Sequence, residues 1–331
     1  MRLVVQKYGG TSVGTAERIS KVAERLLETQ RAGNRVVAVI SAMAGVTDNL
    51  VKLARDVSPA PDAREMDLLL ATGEQAATAL VAMAVDALGG RAISMTGAQA
   101  GILTDRVHTK AKIAHISPRQ IHELLSDDYI VVVAGFQGQT REGETTTLGR
   151  GGSDLTAIAL AGSLSADACE IYTDVDGVFT CDPRIVPEAA KIDEIAYDEL
   201  LEMAGAGAKV MQSRAVEFAK KFGVPFEVRS SFRPTSGTVA KEETRSMEDV
   251  VIRGISIERR QAKVTLDDVP DTPGAASRIF SAVSAANILV DVIVQSASDR
   301  NTTDISFTIH EEDRARTEEL LAPVVKEIGA A

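Results

Sequence analysis

Several short stretches of this 331-residue chain set charged side chains beside glycine. "KYGGTSVG", residues 7 to 14, carries Lys7 just ahead of Gly9 and Gly10. Glycines let backbone N–H groups approach an anion, a helix opening there adds a favourable dipole, and a lysine supplies the charge a phosphoryl group needs. Neither a Walker loop nor GxGxxG fits, because the lysine precedes the glycines. A tight strand-to-helix turn with an exposed lysine is the plain alternative. "VISAMAGVTDNL" offers Ser41, then Thr47 and Asp48. Hydroxyls there can position an amine or carboxylate, or Thr47 or Asp48 can simply cap a helix. In "LLLATGEQAATA", Glu74 can take an ammonium or, as an acidic residue at the front of an apolar helix, favour the helix dipole.

Two further loops extend the inventory. "GRGGSD" places Arg150 beside Gly151 and Gly152. Its guanidinium is a fork shaped for a carboxylate, where a phosphate loop would carry lysine. Ser153 and Asp154 also read as N-caps of a helix beginning at Leu155. "YTDVDGVFTCDPR" crowds Asp174, Asp176 and Asp182 into one loop. Such a loop can bind Mg²⁺ directly, wrap a nucleotide, or be a plain acidic turn. "GAGAKVMQ" adds Lys209 after a Gly/Ala run, a second cation for a phosphate. Together these groups suit phosphoryl transfer from a nucleotide to a small zwitterion.

The elements that must position them read as α/β. "LVVQKY", "RVVAVISA", "RAISMT", "YIVVVAGF", "CEIYTDV" and "PFEVRSS" are strands, most of them apolar on both faces, which marks a buried parallel sheet. Ile19, Val22, Ala23 and Leu26 recur at helical spacing, so residues 15 to 31 form an amphipathic helix. The alternation predicts a mostly parallel sheet sandwiched by helices over residues 1–232. A polar segment with Pro234 and Gly237, residues 233–250, reads as a linker or edge hairpin. Beyond it a small α+β unit of βαββα pattern fills 251–331.

Bulk properties narrow the class. A net charge of −11 with no basic run argues against nucleic acid or an anionic membrane as partner. The apolar stretch "AATALVAMAV" is broken by Asp86 and reads as a buried helix too short to span a bilayer. Two cysteines, four scattered histidines and no secretory layout at the N-terminus give no disulfide framework, no zinc site and no Ser-His-Asp triad. A cytoplasmic location is the expectation.

The order of "KYGGTSV", "VISAM…VTDNL", "LLATGEQ", "TGAQAGILTD…H", "GFQG", "TTLGRGGSD", "TDVDGVFTCDPR" and "GAKVMQSRAVEFA" resembles the aspartate kinases of the amino acid kinase fold. The tail "DTPGAASRIFSAVSAANILVDVIVQ…TTDISFTI" is similar to the first ACT domain that follows that kinase domain. The resemblance covers nearly the whole chain. It implies Mg²⁺-ATP and L-aspartate as substrates and 4-phospho-L-aspartate as product, on the way to lysine, threonine, methionine and isoleucine. Lys7, Asp154 and Lys209 would be catalytic, with Asp154 orienting the lysines. Tyr8, Gly9, Gly10, Ser41, Thr173, Asp174, Phe179, Arg184 and Val210 would join the lysines around ATP. Thr47, Glu74, Arg150, Gly151, Gly152 and Ser153 would hold aspartate, with Glu74 on its ammonium. No side chain is assigned as a metal ligand. Asp271, Pro273, Gly274, Ala275, Ala276, Asp291 and Gln295 would surround an effector such as lysine or threonine, and ACT units would pair the chain into a homo-oligomer.

Departures from the family pattern fall at Ala44 after Met43, at Leu289-Val290-Asp291 and at Gln295-Ser296, the last two around the effector positions. The family continues into a second ACT domain, with which "VVIRGISI", residues 250–257, would pair as a strand. Ala331 is therefore expected to be a truncation point, with feedback inhibition weakened and a tendency to associate through open edges. The competing readings are a kinase of the same fold acting on glutamate, N-acetylglutamate or a nucleoside monophosphate, and a catalytically silent ACT-type sensor. Glu74 speaks against an acylated amine, and intact Lys7, Arg150, Asp154 and Lys209 speak against a sensor.

Overall fold

A computed structural model describes the chain apart from residues 208–209, 244–253, 259, 287, 298–301 and 331. It forms two compact units, Met1–Ser256 and Ile257–Ala331.

The first unit opens with β1 (Leu3–Tyr8), α1 (Ala16–Arg31), β2 (Arg35–Ile40), α2 (Val46–Val57) and α3 (Ala63–Ala87). It continues through β3 (Ala92–Met95), β4 (Ile102–Thr104), β5 (Ile113–Ile116), α4 (Arg119–Ser126), β6 (Ile130–Ala134), β7 (Gln137–Gln139) and β8 (Thr145–Thr147). Then come α5 (Gly152–Ser163), β9 (Ala168–Thr173), β10 (Glu194–Ala196), α6 (Tyr197–Gly205), α7 (Ser213–Phe222), β11 (Phe226–Ser230) and β12 (Thr238–Lys241). The main sheet has eight strands in the order β10-β12-β11-β9-β1-β2-β6-β3, all parallel neighbours except β11 with β12.

Residues alternate across this sheet as strand geometry demands. Val5, Val37, Val39, Val131, Val133 and Ile171 face a core completed by α4, α5, α6 and α7. Val36, Ala38, Ile40, Ile130, Val132 and Tyr172 face α1 and α3. With both faces covered, the strands are largely apolar, and the buried Gln6 of β1 is satisfied by Thr29 and Glu170.

Four short strands escape the reading of alternation and form a second sheet, β5-β4-β7-β8. Three- and four-residue strands such as "ILT", "QGQ" and "TTT" are too brief for a period to register. Helix α3 also corrects an expectation. It begins at Ala63, well ahead of "AATALVAMAV", and its 25 residues are long and apolar enough to cross a bilayer. Here its buried side, including Leu70, Ala71, Ala77, Val81 and Val85, packs within the first unit.

The second unit is β13 (Gln261–Pro270), α8 (Ala275–Ala285), β14 (Val290–Ala297), β15 (Thr302–His310) and α9 (Arg314–Ile328), the expected βαββα order. Its antiparallel sheet runs β13-β15-β14 over a core of Leu266, Ile279, Val283, Ile305, Phe307 and Leu321. Of the expected strand at 250–257, residues 250–253 lie outside the described residues, and 254–257 form no strand. Instead Ile255 N–H donates to Thr180 O at 2.8 Å.

The segment 233–250 likewise differs from a linker over its described part. β12 pairs with β11 as a hairpin but lies inside the sheet, with β10 on its far side. Thr238 is fully buried; its hydroxyl accepts from Val178 N–H at 2.8 Å and donates to Ile192 O at 2.5 Å. Thr238→Val leaves both groups unsatisfied and is expected to destabilise the first unit by about 1–3 kcal/mol in denaturant unfolding. An unchanged midpoint would put this segment outside the cooperative unit.

Candidate functional site

The order β9-β1-β2-β6 brings four strand ends side by side at the carboxyl edge of the sheet. There the first loop residues continue the ladder. Gly9 N–H donates to Tyr172 O at 3.2 Å, Ser41 N–H to Tyr8 O at 3.1 Å and Gly135 N–H to Ile40 O at 2.9 Å. The 7–14 and 41–45 loops then touch directly, with Ala44 N–H on Gly10 O at 3.1 Å. A Cβ on Gly10 would stand 2.7 Å from Ala42 O, so any side chain there would drive the two loops apart.

Lys7 shares the strand face of Val5, toward α5, and is 8% exposed. Its Nζ lies 2.5 Å from Asp154 Oδ1. The contact is ionic without hydrogen-bond alignment, since Asp154 Oδ1 has no aligned donor. The expected capping role of Ser153 and Asp154 is not found. Helix α5 begins at Gly152, its N-cap is Gly151 at φ +68°, and both residues sit inside the first turn. A Cβ on Gly151 would also collide with the Gln212 side chain, so glycine is required twice over. In the same way α2 is capped by Gly45, which leaves Thr47 and Asp48 as first-turn residues.

Glu74 is not at the front of its helix, as the sequence suggests, but deep within α3, where no N-terminal dipole holds it. It is 4% exposed. Oε1 accepts from Ala42 N–H at 3.1 Å, while Oε2 is buried with no partner. Burial pushes its carboxyl up to about 7, opposed by the backbone hydrogen bond from Ala42. A buried carboxylate oxygen without a donor is costly when charged, and this one belongs to a carboxylate held against Ala42, in the loop that follows β2.

Arg150 is exposed, and none of the described carboxylates pairs with it. Its loop packs against Gly135: a Cβ there would stand 2.7 Å from Ser153 Oγ. Tyr8 and Tyr172 stack at 4.9 Å beneath the loops, with Arg25 4.6 Å over Tyr172. Thr173 donates to Asp174, and Phe179 bridges to Lys191. The acidic loop does not gather into a metal cage. Asp176 pairs with Arg233 at 2.7 Å, Asp182 is occupied by Arg184 at 2.8 Å, and no cluster of three potential metal-binding side chains occurs among the described residues. Val210 packs against the core of the first unit, and Lys209 lies outside the described residues.

In the second unit, Gly274 caps α8 at φ +98° and Ala275 is buried, which places Asp271, Pro273 and Ala276 around that turn. Gln295 pairs with Ile305 near the same end of the sheet. Asp291 is separated from them, since it accepts from Gln261 at the opposite end of β13.

Sequence reasoning passed over one polar centre beside the site. Asp67, fully buried on α3, accepts from His108 Nδ1 at 2.8 Å, from Thr109 N–H at 3.0 Å and from the Thr147 hydroxyl at 2.5 Å. The available signal was an aspartate about two turns before Glu74 on one helix face.

Comparison with known proteins adds the following. A model described as amino acid kinase family matches residues 2–230, and one for an ACT domain matches 267–322. The aspartokinase of Mycolicibacterium smegmatis is 51% identical over 99% of this chain and 79% of its own length. That of Pseudomonas aeruginosa is 51% identical over all of this chain and 81% of its own. Among solved structures, Escherichia coli aspartokinase III with aspartate and ADP matches at TM-score 0.83 and 27% identity, covering 99% of this chain and 85% of that one. The same enzyme with lysine and aspartate matches at 0.78 and 28%, covering 99% and 83%. Aspartate kinase from Synechocystis matches at 0.67 and 43%; it covers 98% of this chain, which spans 55% of that protein.

The environment of Glu74 predicts a pH signature in the ligand-free protein. Its folded-state value, about 7, exceeds the ordinary 4.5, so Glu74 binds its proton more tightly when folded. The stability this contributes is fully present below 4.5 and is lost as pH rises to about 7. The melting-temperature advantage of Glu74→Gln over the parent is therefore expected to grow across that window and level off above it. A flat difference would mean that Glu74 is hydrated.

Proposed function

The chain belongs to the amino acid kinase family, among its aspartokinases, and we propose that it transfers the γ-phosphoryl group of ATP to the side-chain carboxylate of L-aspartate, giving 4-phospho-L-aspartate and ADP. The observation that carries this reading is the separation of charges at one strand edge. A lysine beside glycines lies on β1, a glutamate with one oxygen lacking a donor on α3, and before α5 an arginine that no described carboxylate pairs.

In this reading the glutamate receives the ammonium of aspartate at Oε2, which lowers its carboxyl below the ligand-free value and restores the charged form. Arg150 takes a carboxylate by its fork, with Thr47, Gly151, Gly152 and Ser153 closing around it. The aspartate side-chain carboxylate is already ionised and nucleophilic, so no general base is needed. Lys7, aimed by Asp154, and Lys209 with it, neutralise charge on the phosphoryl group as it leaves ADP. Tyr8, Gly9, Gly10, Ser41, Thr173, Asp174, Phe179, Arg184 and Val210 line the nucleotide. Magnesium enters as Mg-ATP, a substrate; in the 174–182 loop Asp176 and Asp182 pair with Arg233 and Arg184, and Asp174 stays beside the nucleotide. Positioning and charge stabilisation carry the rate.

The second unit is the ACT regulatory domain, binding an amino acid effector, lysine or threonine, through Asp271, Pro273, Gly274, Ala275, Ala276 and Gln295, while Asp291 lies at the other end of the sheet. Its edge strand β14 exposes Val292, Ile293 and Val294, a surface on which a second copy can pair into a homo-oligomer. The chain works in the cytoplasm.

Hydroxylamine trapping of the acyl phosphate across an amino acid panel tests the substrate. Product with aspartate is expected, and product with glutamate but not aspartate would overturn the reading. Lys7→Ala is expected to lower kcat by about 10²- to 10³-fold, the usual cost of one transition-state donor. Glu74→Gln should instead raise KM for aspartate and leave KM for ATP near the parent value. Normal turnover in Lys7→Ala would remove the lysine from the chemistry.

A further inference from the structure

Arg150 has no side-chain hydrogen bond or ion pair among the described residues, yet the backbone that presents it is held from two sides. Ala111 N–H donates to Thr147 O at 2.9 Å, and Leu148 N–H to Phe136 O at 2.8 Å. Gly149, at φ +78°, lies against Thr109 O, and Thr109 is itself held at φ +66°, unusual for a β-branched residue. Residues 108–111 and 147–149 thus run together as one short platform immediately before Arg150.

From the α7 side, Arg214 donates to Leu148 O at 2.7 Å and to Ala111 O at 2.6 Å, gripping both strands of the platform. From the α3 side, Asp67 does the same. It takes Thr109 N–H on both carboxylate oxygens, the Thr147 hydroxyl on Oδ1 and His108 Nδ1 on Oδ2. An ionised carboxylate only accepts, so the His108 proton sits on Nδ1. The far nitrogen of His108 stands 3.9 Å from Glu144, which is in turn bound by Arg64 at 3.0 Å.

Asp67 and Glu74 lie on one helix about two turns apart. We infer that Asp67 is a positioning residue for substrate: by tying Thr109 and Thr147 to the helix that carries Glu74, it sets the distance between the glutamate and Arg150. The inference rests on the aspartokinase reading above. Its chemical content is specific. Asp67 fixes the span between an ammonium site and a carboxylate site, and leaves the strand-edge loops around the nucleotide untouched. A charged, fully buried carboxylate that receives three donors is costly to place, and a plain packing role would be served as well by an apolar residue of similar volume.

The test varies aspartate and Mg-ATP separately, well below the melting temperature of each variant. Asp67→Asn turns one acceptor into a donor facing the platform's own donors. It is expected to raise KM for aspartate about ten- to hundredfold, with KM for ATP within about twofold of the parent. Thr147→Val should move aspartate KM in the same direction by less, and Thr147→Ser, which restores the hydroxyl, should return it to the parent value. Equal rises in both KM values, or a lowered melting temperature with unchanged aspartate KM, would overturn the inference. Should Asp67→Asn fail to fold, the Thr147 pair decides on the same criteria. Aspartate affinity by calorimetry separates the two levels. A parent that binds aspartate but makes no acyl phosphate refutes the kinase reading, and equal affinity in parent and Thr147→Val refutes the positioning role.

Discussion

A parallel sheet covered on both faces confines its chemistry to the strand ends. The interior of β2 and β6 is apolar on either side, and the polar groups within β1 and β9, Gln6 and Glu170, are answered by each other at 2.8 Å, by Thr29 of α1 and by Arg229 of β11. All four strands run the same way, so their carboxyl ends and the loops that leave them share one edge. The loops are packed closely enough that Gly10 lies against Ala42 O and Gly135 against Ser153. Gly10, Gly135, Gly151 and Gly152 follow from that crowding before any ligand is considered, whereas Gly9 has room for a Cβ.

The buried charges at this edge are of two kinds, and the difference is informative. Lys7 and Asp154 answer each other at 2.5 Å, so the protein already compensates both. Glu74 has a backbone donor on one oxygen and nothing on the other, and burial raises its carboxyl value against that single donor. In the proposed function the first arrangement positions a cation for a ligand phosphate, and the second reserves a place for a cation that the ligand brings. Arg150, exposed and paired with no described carboxylate, would then complete complementary charges for both ends of an amino acid.

Much of this was legible from residue order. The long strands and α1 declare themselves through periodicity, and the second unit's βαββα order follows from its alternation of patterns. The second sheet of the first unit was not legible, since strands of three residues carry no period. Nor were the caps. Ser153, Asp154 and Thr47 have side chains that favour N-cap positions, yet Gly151 and Gly45 take those places because the backbone there is left-handed. Glu74 looked like a first-turn residue because it stands just ahead of the apolar run that reads as a helix. Gly73 beside it lets α3 approach Ala42, with a would-be Cβ only 3.0 Å from the Ala42 side chain. Asp67 escaped notice because its three partners come from residues 108, 109 and 147, a convergence made by topology rather than by spacing along the chain.

The arginine that looked misplaced in a glycine loop is now the part of the site with the clearest physical logic. Phosphate recognition tolerates a flexible point charge, because a phosphoryl group presents oxygens in every direction. Recognition of a carboxylate by a guanidinium is planar and bidentate, so it gains only when the fork is held in the correct plane. That requirement explains why the residues before Arg150 are gripped by Asp67 and Arg214 while "KYGG" needs only its ladder and one ion pair. In the proposed function it also accounts for discrimination. A substrate with an acylated amine would leave Glu74 Oε2 buried and without a donor, and the glutamate would then have to remain protonated or stay charged at a cost. On that reading Arg150 alone would not reject such a molecule; a fixed span from Arg150 to Glu74 would.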